Sequence, residues 1–261
     1  MMEATVLGIG IFGPGLAGWA SSAALLGAAA PYRDTALPAL EPALLPATER
    51  RRAGRTVQLA VHVAQQAMQG VQADSVPTVF ATSGGDLQTA HELCLALAQP
   101  EKMVSPTRFH NSVHNAAAGY WSIATGSRAP STSISAYDST FAAGLLEALC
   151  QAHAGADAVL LVAYDCPAPE PLHAKRPLPA PFGVSLLLSA RAPAPARGRL
   201  RVSVEGNRPA TELAVPELEA LRRQIPAARS LPLLSALARS KPDTVALDYL
   251  ETMSLKLEVR P

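Results

Sequence analysis

The sequence predicts an α/β fold built on a mostly parallel sheet, and three observations predict it. Apolar and β-branched runs of strand length recur at Thr5–Phe12, Pro77–Thr82 and Ala158–Asp165. The first runs into Gly13-Pro14-Gly15. The second runs into Ser83-Gly84-Gly85-Asp86, with helical spacing over Leu87–Leu97, so strand, glycine turn and helix alternate as helices packed on a parallel sheet require. Finally, a run of small and β-branched residues from Ser133 turns sharply at about Asp138 into Ala142–Leu149, which reads as a buried helix.

Composition bounds the rest. A chain of 261 residues, 49% hydrophobic, has apolar material for a real core. A net charge of +1 with 16% charged residues advertises neither nucleic acid nor a basic partner. Cys94, Cys150 and Cys166 lack metal-ligand spacing, so they are expected as core-filling thiols in a reducing compartment, with the cytoplasm as the default location. No uninterrupted apolar run is long enough to span a bilayer, so no membrane insertion is expected.

In chain order, Thr5–Phe12 is a buried strand. Gly8, Gly10 and Gly13 satisfy the G-x-G-x-x-G of a dinucleotide fingerprint, with Asp34 about 20 residues on, the spacing that fingerprint calls for. Asp34 does not follow a second strand, however, and no cofactor is expected. Arg50, Arg51, Arg52 and Arg55 lead into a helix over Val57–Met68; they read either as a solvated helix start or as contacts to an acidic carrier or partner. His110 and His114, four apart, could share a helix face, but a third ligand is missing and no metal is expected. Ala116–Ala124 reads as a helix whose small residues permit close packing. Beyond the proline-rich loop Pro167–Pro181, Gly183–Ser189 and Leu200–Val204 look like paired strands, Leu213–Gln224 a helix, and Met253–Val259 a final alternating strand.

A strand-to-helix elbow exposes one side chain while aiming backbone N–H groups and the positive helix end at whatever binds there. Tyr137, Asp138 and Ser139 occupy it. Ser139 admits a serine acyltransferase or hydrolase with His110, His114 or His153 as base, although the G-x-S-x-G glycines are absent.

Ser105-Pro106-Thr107-x-Phe109, Asn115-x-x-x-Gly119, Ile134-Ser135 with the elbow, and Gly155-Ala156-Asp157 with a strand ending at Asp165 together resemble the N-terminal half of β-ketoacyl synthases of the thiolase-like fold. The stretch Phe109–Trp121 resembles the chain length factors of aryl polyene pigment clusters. The resemblance runs from about Thr5 to Asp165, with Phe182–Ala190 closing that half. It implies a thiolase-like half-fold over residues 1–190, a mostly parallel five-stranded sheet with helices on both faces. Residues 191–261 are expected as a short extension of strands and one helix packed on the same domain.

The resemblance also implies a cysteine nucleophile at the elbow, and registering the motif puts Asp138 at that position with Tyr137 and Ser139 adjacent. A carboxylate cannot hold an acyl chain as a stable thioester would. The two histidines of a condensing enzyme come from a second half, and no histidine follows His173 here. No catalytic residue is therefore expected. The implied role is a non-condensing subunit that forms a heterodimer with an active β-ketoacyl synthase and meets acyl carrier protein indirectly. Phe109, His114, Asn115, Tyr120, Tyr137 and Phe141 are the candidate tunnel-lining or partner-contact residues. Asp138 is expected either to accept backbone N–H bonds at the helix start or to fill the vacated nucleophile pocket.

Overall fold

The computed structural model describes residues 1–33, 35–191 and 197–261. The first half contains β1 (Met2–Gly13), β2 (Leu16–Ala17), α1 (Trp19–Leu26), α2 (Ala47–Arg52), α3 (Arg55–Ala67), β3 (Thr78–Ala81), α4 (Leu87–Ala98), α5 (Pro106–Asn111), α6 (Ala116–Thr125) and β4 (Ser131–Ile134). A 3₁₀ turn at Tyr137–Ser139 leads into α7 (Thr140–His153), followed by β5 (Val159–Asp165), α8 (Leu172–Lys175) and β6 (Phe182–Ser189). After β7 (Gly198–Gly206) and α9 (Pro216–Gln224), a second 3₁₀ turn at Pro226–Ser230 precedes α10 (Leu231–Ala238), β8 (Asp243–Leu250) and β9 (Met253–Arg260).

All but β2 line up in the order β4-β3-β5-β6-β1-β7-β9-β8, and β2 forms a hairpin with β1. The sheet is mixed and extends beyond the five-stranded, mostly parallel one that was expected. Among the described strands only β3–β4 and β3–β5 run parallel. The reason lies in the connections. Helices carry the chain from β3 to β4 and from β4 to β5, as parallel neighbours need, whereas the proline-rich loop after β5 and the tight β8–β9 turn return the chain antiparallel.

Helices cover both faces, as expected. β5 shows why: all seven residues are buried, with Val159, Leu161 and Ala163 facing the core shared with α7 and α10, and Leu160, Val162 and Tyr164 facing the core shared with α3 and α6. Gly8 and Gly10 lie inside β1 rather than in a phosphate-cradling turn. A Cβ would sit 1.9 Å from the Ala67 carbonyl oxygen at Gly8 and 2.2 Å from that of Val63 at Gly10, so these glycines let α3 lie against the strand. Packing explains the glycine spacing without a dinucleotide, and Asp34 lies outside the described residues.

The C-terminal part differs from expectation in two ways. β6 and β7 do not pair with each other, because the twelve-residue β1 runs between them, meeting β6 over Thr5–Phe12 and β7 over Met2–Val6. In place of one helix there are two α-helices, α9 and α10. The cysteine expectation also fails: Cys94 on α4 and Cys150 at the end of α7 are exposed free thiols, and only Cys166 is partly covered.

Candidate functional site

The site is a charged elbow beside an open sheet edge. β4 is the terminal strand of the sheet, flanked on one side by β3 and on the other by no described strand. Three residues after it ends, Tyr137 takes φ +50°, a left-handed conformation costing a non-glycine residue roughly 1–2 kcal/mol. The strain of the elbow thus falls on Tyr137, one residue before the position that the family resemblance aligns with cysteine. Thr140 closes the turn: its hydroxyl accepts from the Ala136 N–H at 3.1 Å and donates to the Tyr137 carbonyl at 2.6 Å.

Of the two roles expected of Asp138, capping is not represented among the hydrogen bonds of the described residues, where its carboxylate is met by arginines. Instead its carboxylate lies between two arginines from distant segments. Arg176 Nη2 in the proline-rich loop is 2.8 Å from Oδ1, and Arg229 Nη2 in the second 3₁₀ turn is 3.3 Å from Oδ2. Arg229 also reaches Asp248 on β8 at 3.4 Å, and Asp248 lies 4.0 Å from Arg222, which pairs with Glu219 on α9. Arg222 and Arg223 beside Glu219 hold its carboxyl down to about 2. The elbow is therefore wired by ion pairs to the C-terminal segment. The Arg176 guanidinium also stacks on the Tyr137 ring, 3.8 Å from its centroid.

A second carboxylate ties the same segments from within. Asp165, at the end of β5, is buried, and its Oδ1 accepts from the Ser83 N–H at 2.8 Å and the Ser83 hydroxyl at 2.7 Å. Oδ2 accepts from the Ala227 N–H at 2.9 Å. Burial pushes this carboxyl above its ordinary range, and the Ser83 and Ala227 donors work against that rise.

The structure divides the candidate contact residues. Phe109 and Tyr137 are 68% and 66% exposed, and His114 and Asn115 are exposed as well. Tyr120 and Phe141 are 4% and 1% exposed core residues. Tyr120 donates to Asn111 Oδ1 at 3.0 Å, and Asn111 Nδ2 donates to the Arg52 carbonyl, so Tyr120 serves to hold α5 and α2 to α6. Sequence reading missed further exposed apolar residues near these, Leu95 and Leu97 on α4, Val113, and Ile123 on α6. The signal was present: the C-terminal half of α4, Leu93–Ala98, is an unbroken apolar run, yet Thr89 is the helix's buried residue.

Among the described residues no histidine hydrogen-bonds Ser139. His153 is at the opposite end of α7, a 14-residue helix about 20 Å long, and there bonds the Glu3 backbone. Among the described residues neither His110 nor His114 hydrogen-bonds Ser139, and no group of three or more His, Cys, Asp or Glu side chains is gathered as a metal site would need. Burial pushes the Cys166 thiol up to about 12, which leaves it protonated and a poor nucleophile at neutral pH.

At the C-terminal ends of β3 and β5 a cleft of about 810 Å³ opens between α2, α3, α4, α5 and the loop after β5. Arg51, Arg52, Arg55 and Arg108 line it with Asp86 and Glu92. Arg108 pairs with Glu92 at 2.7 Å and Arg52 with Glu49 at 3.2 Å, while among the described residues Arg51 and Arg55 have no carboxylate partner. Arg55 opens α3, where the helix dipole disfavours a cation, so the cleft has positive charge to spare.

These features define an α/β ketosynthase-like scaffold with a carboxylate at its elbow. The chain belongs to the β-ketoacyl synthase family: the model of the β-ketoacyl synthase N-terminal domain matches residues 19–246. No curated protein matches it. Among solved structures it is similar over 100% of both chains to a chain of the ketosynthase ApeO in complex with its chain length factor ApeC from Xenorhabdus doucetiae, at TM-score 0.76 and 24% identity. It resembles the ishigamide ketosynthase/chain length factor over 99% of both chains at TM-score 0.71 and 15% identity. A type II polyketide synthase complex of acyl carrier protein with ketosynthase, AntDE:AntF, matches over 99% of both chains at TM-score 0.75 and 12% identity. These likenesses establish the thiolase-like fold. Among the described residues no helix is long and apolar enough to cross a membrane.

Proposed function

We propose that the chain is a non-condensing, chain-length-factor-like subunit that pairs with an active β-ketoacyl synthase in type II polyketide or fatty acid biosynthesis of the aryl polyene kind, and shapes the tunnel in which the acyl chain grows. The observation that carries this reading is the elbow. Its nucleophile position holds Asp138, neutralised by Arg176 and Arg229, and an ion-paired carboxylate takes up no acyl group from a thioester. Association then has to supply the function. The edge of β4 that no described strand covers, with exposed Tyr137 just after it and exposed Ile123 on the neighbouring α6, supports a partner surface, as do the exposed Phe109 and Val113, since open edges and exposed apolar side chains are ordinarily covered. The cleft, in which Arg51 and Arg55 have no carboxylate partner among the described residues, supports contact with an acidic acyl carrier protein.

Coexpression with a β-ketoacyl synthase encoded beside it should yield a one-to-one complex on size exclusion, while the chain alone self-associates. A monomeric, well-behaved chain that retains no ketosynthase would remove this reading. Within the complex, Phe109→Ala should weaken association roughly thirtyfold, the effect of deleting an aromatic anchor worth about 2 kcal/mol. Titration calorimetry reads it, and a loss under twofold would place Phe109 outside the interface.

A further inference from the structure

We propose that Asp138 is a positioning residue for Tyr137: it holds the Arg176 guanidinium over the Tyr137 ring and so fixes that ring in the outward pose it offers the partner subunit. The partner half of this inference rests on the function proposed above; the geometric half does not.

Three separate segments meet here. Tyr137 has a strained backbone at the elbow, which leaves its exposed side chain dependent on neighbours for a single orientation. Arg176 supplies one, 3.8 Å from the ring centroid. Among the described residues the carboxylate in ion-pair contact with Arg176 is that of Asp138, the Arg176 Nε is buried without a partner, and Asp165 acts on the guanidinium only through space, so the Asp138 pair is the direct tether that fixes it. Arg229 is different, because Asp248 also holds it. Removing Asp138 would leave Arg176 with no carboxylate in ion-pair contact among the described residues, only the more distant pull of the buried Asp165, whereas Arg229 keeps Asp248. Arg229 would stay with Asp248, and Arg176 would move off the ring. Asp138 thus acts on the exposed surface through Arg176, although its own side chain is half-buried.

The test uses the full chain labelled with 3-fluorotyrosine. Of five tyrosine resonances, the one lost in Tyr137→Phe is assigned to Tyr137. Asp138→Ala should move that resonance toward the position of the free amino acid and leave the other four in place, and added formate should return it. With the ketosynthase, Asp138→Ala should weaken affinity about threefold to fivefold, the size of an exposed cation–π contact, and should cost nothing more in a Tyr137→Ala background. If Asp138→Ala does not fold, Asp138→Asn, which keeps the shape and removes the charge, takes its place. An unmoved Tyr137 resonance in the folded variant, or the same affinity loss with and without Tyr137, would overturn the proposal. If the wild-type chain binds no ketosynthase, the partner reading fails on its own, and the resonance alone decides whether Asp138 positions Tyr137.

Discussion

Gly10→Val should not accumulate as folded protein. The Cβ of any residue at Gly10 meets the Val63 carbonyl oxygen at 2.2 Å and the Ser185 hydroxyl at 2.5 Å. The first neighbour is backbone in the middle of α3, so no rotamer change relieves the clash and the helix has to retreat from the sheet. Overpacking a core by a few methylenes costs about 1–3 kcal/mol when side chains can shift, and the cost is higher where backbone must move. Against a total stability of about 5–15 kcal/mol, that is enough to unfold the domain. Soluble yield and circular dichroism read the outcome. Gly119→Ala is the control. Its Cβ meets nothing within 4 Å in the middle of α6, and the substitution should raise stability by up to about 1 kcal/mol. A folded Gly10→Val protein binding a nicotinamide dinucleotide less well than wild type would reinstate the glycines as a cofactor motif.

Asp165→Ala should lower unfolding stability by about 3–5 kcal/mol, because it orphans the Ser83 and Ala227 N–H groups and the Ser83 hydroxyl, at about 1–3 kcal/mol for each buried unsatisfied group. The loss should depend on pH with a definite sign. Burial raises the folded-state pKa of Asp165 above its unfolded value, so the native state holds the proton longer. The contribution of this carboxyl is complete below its unfolded pKa of about 3.9 and declines as pH rises through the folded value. Urea titrations should therefore give a larger difference between wild type and Asp165→Ala at pH 4 than at pH 8. Equal differences at both would mean that Asp165 titrates as an ordinary surface carboxylate.

Residues that answer to local pattern were legible in the sequence, and residues that answer to distant partners were not. β5, α3 and α7 announce themselves because a strand buried on both faces and an amphipathic helix leave short-range signatures. α10 leaves none. Seven of its residues, Leu231 to Leu237, are buried on every side, and uniform burial erases helical periodicity. That β1 would insert between β6 and β7 depends on which edge β1 offers to each, and no local spacing encodes that. At the elbow the turn and its three candidate residues were legible from the switch between strand and helix spacing. The partners of Asp138 were not, since Arg176 lies 38 residues away, inside a loop that reads as irregular. The exposed end of α4 was readable in principle, since Leu93–Ala98 is a six-residue apolar run with no polar residue to face solvent.

The most direct measurement is intact-mass analysis after incubation with an acyl thioester of acyl carrier protein and its malonyl counterpart, on this chain alone and on its complex with a ketosynthase. A scaffold subunit predicts that this chain keeps its unmodified mass in both samples, while two-carbon extension occurs in the complex. An acyl adduct on this chain, with extension in the ketosynthase's absence, would contradict the account.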